Sequence, residues 1–426
     1  MKKIYFIYLF ILTLSFIFVI YSQNPIVISL YVLFVFLSFF SVGMGMLAKI
    51  ISISFYLFLF QRVAILIFFP DNFYFAGYQY QVSDSIPIMI YGLYYYVPLM
   101  AGCLLFEKKS TRYDNNYIDS NVVVASLWYF VIVIFMTIMN SNIYSVSSLN
   151  VSSTFLMFNK IWSHSSFVIV VLILYYRGIL RRMLLAALIS IKFIYTPSKT
   201  FALSVFLPII FARERQNNKV NLLLYGVGLL LFVLLFLIAD AIRTNAFDAD
   251  LIMIKLANVV SFVSLRVGFN HDIAIFHNEI LLQNHSGFNL LLSMINGYVP
   301  GELFQVDRIL SGRDIYALDH GVSFEKVDAI GGGYNLGYFL FDQVYFGYYA
   351  PLFSLLMFYP VFYIYNNGNL VYKVMIMIFF FTIGNSESII EVLKLMTNLL
   401  AFYLFSGAIR IMSDVMKQNR RYLPYK

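Results

Sequence analysis

The sequence predicts an all-α, polytopic integral membrane protein. It has about 12 transmembrane helices, two of them short or re-entrant, and one large, mostly helical periplasmic loop. Three observations predict this class. The chain is 61% hydrophobic and only 12% charged, with a mean hydropathy of +0.80, where soluble domains carry about 25% charged residues. Its apolar runs recur near the ~20 residues that cross a ~30 Å hydrocarbon core as a helix, without the alternation of barrel strands. Its cations collect at alternate ends of those runs. Of 29 Lys and Arg, 18 fall at ends or loops assigned to the cytoplasm and one, Lys160, in a short outer loop. That asymmetry is the positive-inside pattern. The formal charge of +8 thus belongs to the membrane edge, and no nucleic-acid partner is needed to explain it.

Taken in order, the elements fall into three domains: membrane helices over 1–239, a loop over 240–346, and membrane helices with a cytoplasmic tail over 347–426. Met1-Lys2-Lys3 and the apolar run 4–21 mimic a signal peptide. No small-x-small cleavage site follows, so the run reads as a retained first helix. Spans at 25–47 and 50–69 follow, with Lys49 at the inner turn, then a polar outer loop 71–86 and a span at 87–106. Glu107-Lys108-Lys109-Ser110-Thr111-Arg112 is cytoplasmic by its basic residues. Spans at 121–139 and 161–176 flank an outer Ser/Asn-rich loop, and the second returns to Arg177, Arg181 and Arg182.

Residues 183–212 lie between two basic clusters and are broken at Thr196-Pro197-Ser198-Lys199-Thr200. Each half, at about 13 residues and ~20 Å of helix, is shorter than the core. The pair reads as a short broken hairpin meeting near the outer face. Spans at 220–239 and 347–366 bracket the loop, and a short span at 372–384 and a last one at 389–409 finish the chain. Arg410, Lys417, Arg420, Arg421 and Lys426 then lie inside, so both termini are cytoplasmic. Cys103, the only cysteine, sits in an apolar run. No intramolecular disulfide is possible, and the outer loop must fold by packing on the membrane helices.

Chemistry is expected where charge enters the apolar part. The cations within spans are Arg62, Lys192, Lys199 and Lys394, and a central Arg or Lys costs roughly 2.5–3.5 kcal/mol on insertion scales unless it faces a cavity or partner. Lys394 has Glu391 one helical turn away, whereas the span holding Arg62 has no acid. The 240–346 loop holds four of the five histidines: His271, His277, His285 and His320. It also holds Arg243, Arg266, Arg308 and Arg313. Its apolar run Leu251–Leu265 suits the membrane surface, and helices are expected over 271–283 and after Ser286. Twelve acids against six Lys and Arg make it net negative.

His271, His277 and His285 do not have zinc-ligand spacing. Gly331-Gly332-Gly333 lacks the Gly-Lys-Ser/Thr of a P-loop, and no Gly-x-Ser-x-Gly elbow is present. What remains is guanidinium suited to phosphate beside His and Asp able to accept a hydroxyl proton.

With these residues in hand, the chain resembles the O-antigen polymerases, the oligosaccharide repeat-unit polymerases of bacterial surface polysaccharides. The resemblance covers nearly the whole chain in architecture. Locally it lies in Thr196-Pro197-Ser198-Lys199, in Arg308-Ile309-Leu310-Ser311-Gly312 and in Gly337-Tyr338 through Asp342-Gln343-Val344-Tyr345-Phe346-Gly347. Lys199 and Asp342 stand where many relatives have Arg and Glu, with the charge kept.

The resemblance implies a bacterial inner-membrane enzyme that transfers a growing glycan from undecaprenyl diphosphate onto the next lipid-linked repeat unit. It needs neither metal nor cofactor. Arg62, Lys199, Arg243 and Arg266 would bind the diphosphate. His271, Asp272 or His320 would be the base, and Arg308, Arg313, Tyr334 and Asp342 would hold sugars. The implied partners are the undecaprenyl-diphosphate-linked oligosaccharide, the lipid bilayer, a chain-length regulator and a flippase. Two alternatives stay open: a flippase for the same unit, or an O-antigen ligase-type transferase.

Overall fold

The computed structural model describes residues 45–51, 73–75, 78–80, 118–139, 167–175, 346–382 and 390–421, with scattered positions within 14–34, 99–106, 207–208, 288–292 and 317–323. The described structure is helical except for one hairpin. Strands β1 (Phe73–Phe75) and β2 (Tyr78–Tyr80) pair antiparallel, Phe73 opposite Tyr80 and Phe75 opposite Tyr78. This corrects the all-α expectation locally, since 71–86 was expected to be a polar loop. Aromatic residues favour the pleated backbone, and two residues, Ala76 and Gly77, separate the strands.

Helix α1 (Ser120–Met139) is 20 residues long, ~30 Å at 1.5 Å per residue. Asp119 starts it. Its carboxylate accepts the Asn121 N–H at 2.9 Å, and its carbonyl accepts the Val123 N–H at 3.1 Å, so it acts as an N-cap. Helix α2 (Phe167–Tyr175) is buried along Phe167–Leu174. A 3-10 turn, Gly347–Tyr349, leads into α3 (Ala350–Asn367), and α4 (Leu370–Thr382) follows. Asn369 caps α4, its side-chain oxygen accepting the Tyr372 N–H at 3.2 Å. Helix α5 (Ile390–Arg421) closes the described chain.

The expected spans at 121–139, 347–366 and 372–384 coincide with helices to within a few residues, and α2 lies inside 161–176. Two expectations change. Lys49 is not at a turn: its N–H bonds the Gly45 carbonyl at 3.3 Å inside a helical stretch that begins after Gly45. Glycine, not the cation, marks the break. The last helix also continues a dozen residues past the expected span 389–409, and 410–421 contains no Gly or Pro. The spans at 50–69, 183–212 and 220–239, and the 240–346 loop, lie outside the described residues apart from scattered positions.

Among the described residues, two stretches are long and apolar enough to cross a membrane, Gly347–Asn367 (21 residues) and Leu395–Lys417 (23 residues). A core helix of a soluble protein would be mostly covered, yet only 33% and 11% of the 18-residue apolar windows within them are buried. On α3 the buried positions are Pro351, Ser354, Phe358, Val361, Phe362 and Tyr365, while Leu352, Leu356, Tyr359 and Tyr363 are exposed. Both faces are apolar, and the helix carries no charged residue. An ordinary amphipathic helix puts charge on its outer face; a membrane span does not.

The chain divides into two compact units. One contains Met1–Lys109, Asn258–Asn366 and Phe379–Val392; the other contains Ser110–Ala257, Asn367–Ile378 and Leu393–Lys426. In the first, Phe358 meets Phe380 edge-on at 5.3 Å, and Phe362 stacks on Phe380 at 5.8 Å. Phe106 sits edge-on to Tyr359 at 5.2 Å, and the Asn366 side chain donates to the Phe106 carbonyl at 2.6 Å. Gly102 and the buried Cys103 lie one turn before Phe106. In lipid such packing, rather than the hydrophobic effect, holds helices together.

In the second unit α1 packs on α2, and Phe167 lies 5.5 Å from both Phe402 and Phe405 of α5. Asn121 donates to the Ser413 hydroxyl at 3.0 Å, joining the start of α1 to the far end of α5. Buried positions on α1 include Val122, Ser126, Phe130 and Val133, and Ser126 is 0% exposed with no hydrogen-bond partner for its hydroxyl. Because an unsatisfied buried hydroxyl costs ~1–3 kcal/mol, Ser126→Ala should leave the thermal midpoint in detergent unchanged or raise it. A fall of several degrees would mean that the hydroxyl has a stabilising role.

Candidate functional site

The described part of the expected site is the junction at which the 240–346 segment ends. Phe346 has φ −111° and ψ −4°, Gly347 then turns to φ +55°, and the Ala350 N–H bonds the Gly347 carbonyl. Positive φ at Gly347 is a left-handed conformation that L side chains adopt at a cost. The Phe346 ring stacks on Phe353, one turn into α3, at 4.3 Å and 21°. The Phe-Gly pair therefore does two jobs: the ring ties the end of the segment to α3, and the glycine turns the chain into the helix. Tyr348 and Tyr349 follow and are 79% and 77% exposed. The sequence reading did not single out these two tyrosines. Their position beside Gly347 at the start of an apolar run was the available signal, since Tyr favours a membrane interface.

Since an added Cβ at Gly347 would meet nothing within 4 Å, substitution there strains only the backbone. Gly347→Ala should cost about 1–2 kcal/mol, and Gly347→Asn less, because Asn tolerates this conformation. Thermal unfolding of both variants checks it; equal losses, or none, would contradict the geometry.

A second left-handed glycine lies within the 240–346 segment. Gly321 has φ +60°, and its N–H reaches the Leu318 carbonyl at 3.4 Å after the helical pair Ala317–Leu318. Phe288, Asn289 and Leu292 are helical too, in the stretch expected to form a helix after Ser286.

None of the sequence-predicted site residues is among those described. The base candidates His271, Asp272 and His320 lie outside them, as do the diphosphate candidates Arg62, Lys199, Arg243 and Arg266 and the glycan candidates Arg308, Arg313, Tyr334 and Asp342. His320 falls between the Leu318 and Gly321 positions, and Asp342 comes four residues before Phe346. Glu391 and Lys394 both lie on the α5 backbone, one turn apart. Comparison with protein-family models, with curated proteins and with solved structures finds no match.

Proposed function

We propose that the chain is a multi-pass bacterial inner-membrane glycosyltransferase. It would polymerise undecaprenyl-diphosphate-linked oligosaccharide repeat units at the periplasmic face. The observation that carries the membrane half of this reading is α3, an uncharged apolar helix with Leu and Tyr on its exposed face, opening at the turn that ends the 240–346 segment. Two contacts support the parity of the topology. Charge assigns Asn121 and Ser413 to one side of the membrane, and they hydrogen-bond; it does the same for Phe106 and Asn366, which also bond. The reaction itself rests on the family resemblance.

In that reaction the acceptor hydroxyl attacks the anomeric carbon of the donor glycan. The new glycosidic bond forms as the bond to the lipid diphosphate breaks, and the hydroxyl proton passes to His271, Asp272 or His320. The leaving group takes the bonding pair as negative charge. Arg62, Lys199, Arg243 and Arg266 would stabilise it in a low-dielectric site, where such cations act most strongly. The 240–346 segment would act as a lid, with sugar contacts at Arg308, Arg313, Tyr334 and Asp342.

Gene deletion separates this reading from its neighbours. Loss of a polymerase leaves surface core capped by a single repeat unit. Loss of both the polymer and that single unit would point to the flippase or the ligase-type transferase.

A further inference from the structure

Helix α5 is longer than a membrane requires. Its 32 residues span about 48 Å at 1.5 Å per residue, against ~30 Å of hydrocarbon and ~40–45 Å with headgroups. Placed as the 389–409 span expected from its sequence, it would leave the hydrocarbon after about 20 residues, near Arg410, with the apolar stretch continuing to Lys417. Beyond that point Ile411, Met412, Val415 and Met416 are all exposed. At about 100° per residue, Leu400, Leu404, Ile411 and Val415 share one stripe about 60° wide, so the outward apolar face continues past the cation. Tilt alone would bury this stripe through Val415 only at nearly 40°, the upper end of the usual range.

Met412 and Met416 lie about 90° and 130° from the centre of that stripe, toward the side of Ser413. Ser413, on the side opposite the stripe, is held by Asn121, so the apolar stripe points away from α1. Arg410, Asp414 and Lys417 are exposed and form a second stripe about 100° from the apolar one. Arg410 and Lys417 are seven residues apart, roughly 10 Å along the axis. Between 410 and 421 there are four cations and one acid, a balance of +3.

We infer that the end of α5 is a binding site for acidic phospholipid of the leaflet on that side. Ile411 and Val415 pack on acyl chains and glycerol, while Arg410 and Lys417 reach up to the phosphates, as long cationic side chains do at an interface. Charge complementarity and continuity with the membrane-facing stripe favour lipid over a protein occupant. The inference rests on reading α5 as a membrane helix.

Two measurements on the full chain test it. Cys103 is the only cysteine, so a Cys103→Ala background accepts single spin labels at Leu404→Cys and Val415→Cys, in nanodiscs containing phosphatidylglycerol. Both labels should be accessible to oxygen and shielded from a water-soluble nickel reagent. A lipid-exposed 404 with a water-exposed 415 overturns the inference and leaves the membrane helix standing; water exposure at both overturns both. Dipolar broadening at 415 would mean that a second copy occupies the stripe, which also overturns it. Independently, native mass spectrometry of the wild type should show retained phosphatidylglycerol falling roughly fivefold for each cation removed in Arg410→Gln and Lys417→Gln, with phosphatidylcholine unchanged. Equal retention of phosphatidylglycerol overturns the inference.

Discussion

Alanine at Arg62 or at Arg266 is expected to abolish chain extension while protein abundance and topology persist. Arg62 stands in Phe60-Gln61-Arg62-Val63, and the span around it contains no acid. An arginine placed there costs roughly 2.5–3.5 kcal/mol, so removing it should not harm insertion. If its role is to meet the lipid diphosphate, the loss falls on the transition state, where negative charge develops on the leaving group. Removing one such stabilising donor typically lowers the rate by about 10²–10³-fold, enough to reduce a polysaccharide ladder to a single unit. Arg62→Lys discriminates further. It keeps the charge but loses the bidentate fork, and partial ladders are expected from it. Wild-type ladders from both alanine variants would remove these residues from the site.

Gly102→Leu is expected to be the most damaging single change among the described residues. A Cβ at Gly102 would lie 2.6 Å from Leu355 Cδ1 and 3.2 Å from Phe362 Cε2. Alanine can be accepted, because the Leu355 terminus is flexible and can rotate away. Leucine would push further into the space held by Phe362, which stacks on Phe380 and on Phe106. Overpacking of this kind typically costs about 1–3 kcal/mol. Since small residues are what allow membrane helices to approach closely, little slack is available. The thermal midpoint in detergent should fall slightly for Gly102→Ala and by many degrees for Gly102→Leu. Leu355→Ala should restore part of the loss, because touching residues are energetically coupled. A Gly102→Leu protein as stable as the wild type would contradict the described packing.

Run length and charge were sufficient to locate the C-terminal scaffold. The apolar stretch after Gly347, the Asn369 cap and the tail of cations can each be read locally, and α3, α4 and α5 lie where they imply. The misreadings have physical causes. Lys49 was placed at a turn because cations mark membrane edges, but backbone breaks follow glycine, and Gly45 precedes the helix. Helix α5 continues past the expected span 389–409, because hydropathy marks where a membrane span ends and not where a helix does. The β1–β2 hairpin was legible in Phe73-Tyr74-Phe75 and Tyr78-Gln79-Tyr80 around two residues, a strand signal passed over because the segment is short.

The candidate site was legible only as residue types. Arginines suited to phosphate and histidines suited to proton transfer can be named from the chain. Whether Arg62 meets Arg266, or Lys199 meets His271, depends on packing between elements far apart in the chain, which local spacing does not encode. Gly347 shows the opposite case, a role fixed by one backbone angle and readable from residue type alone.

The central claim is glycosyl transfer from a lipid diphosphate, and purified full-length protein in nanodiscs with a lipid-linked repeat unit tests it most directly. The count of released undecaprenyl diphosphate against new glycosidic linkages is the measurement. The proposal predicts one lipid diphosphate released per linkage, without nucleotide sugar, and products growing one repeat unit at a time. Movement of intact lipid-linked units across the bilayer with no linkage formed would contradict it.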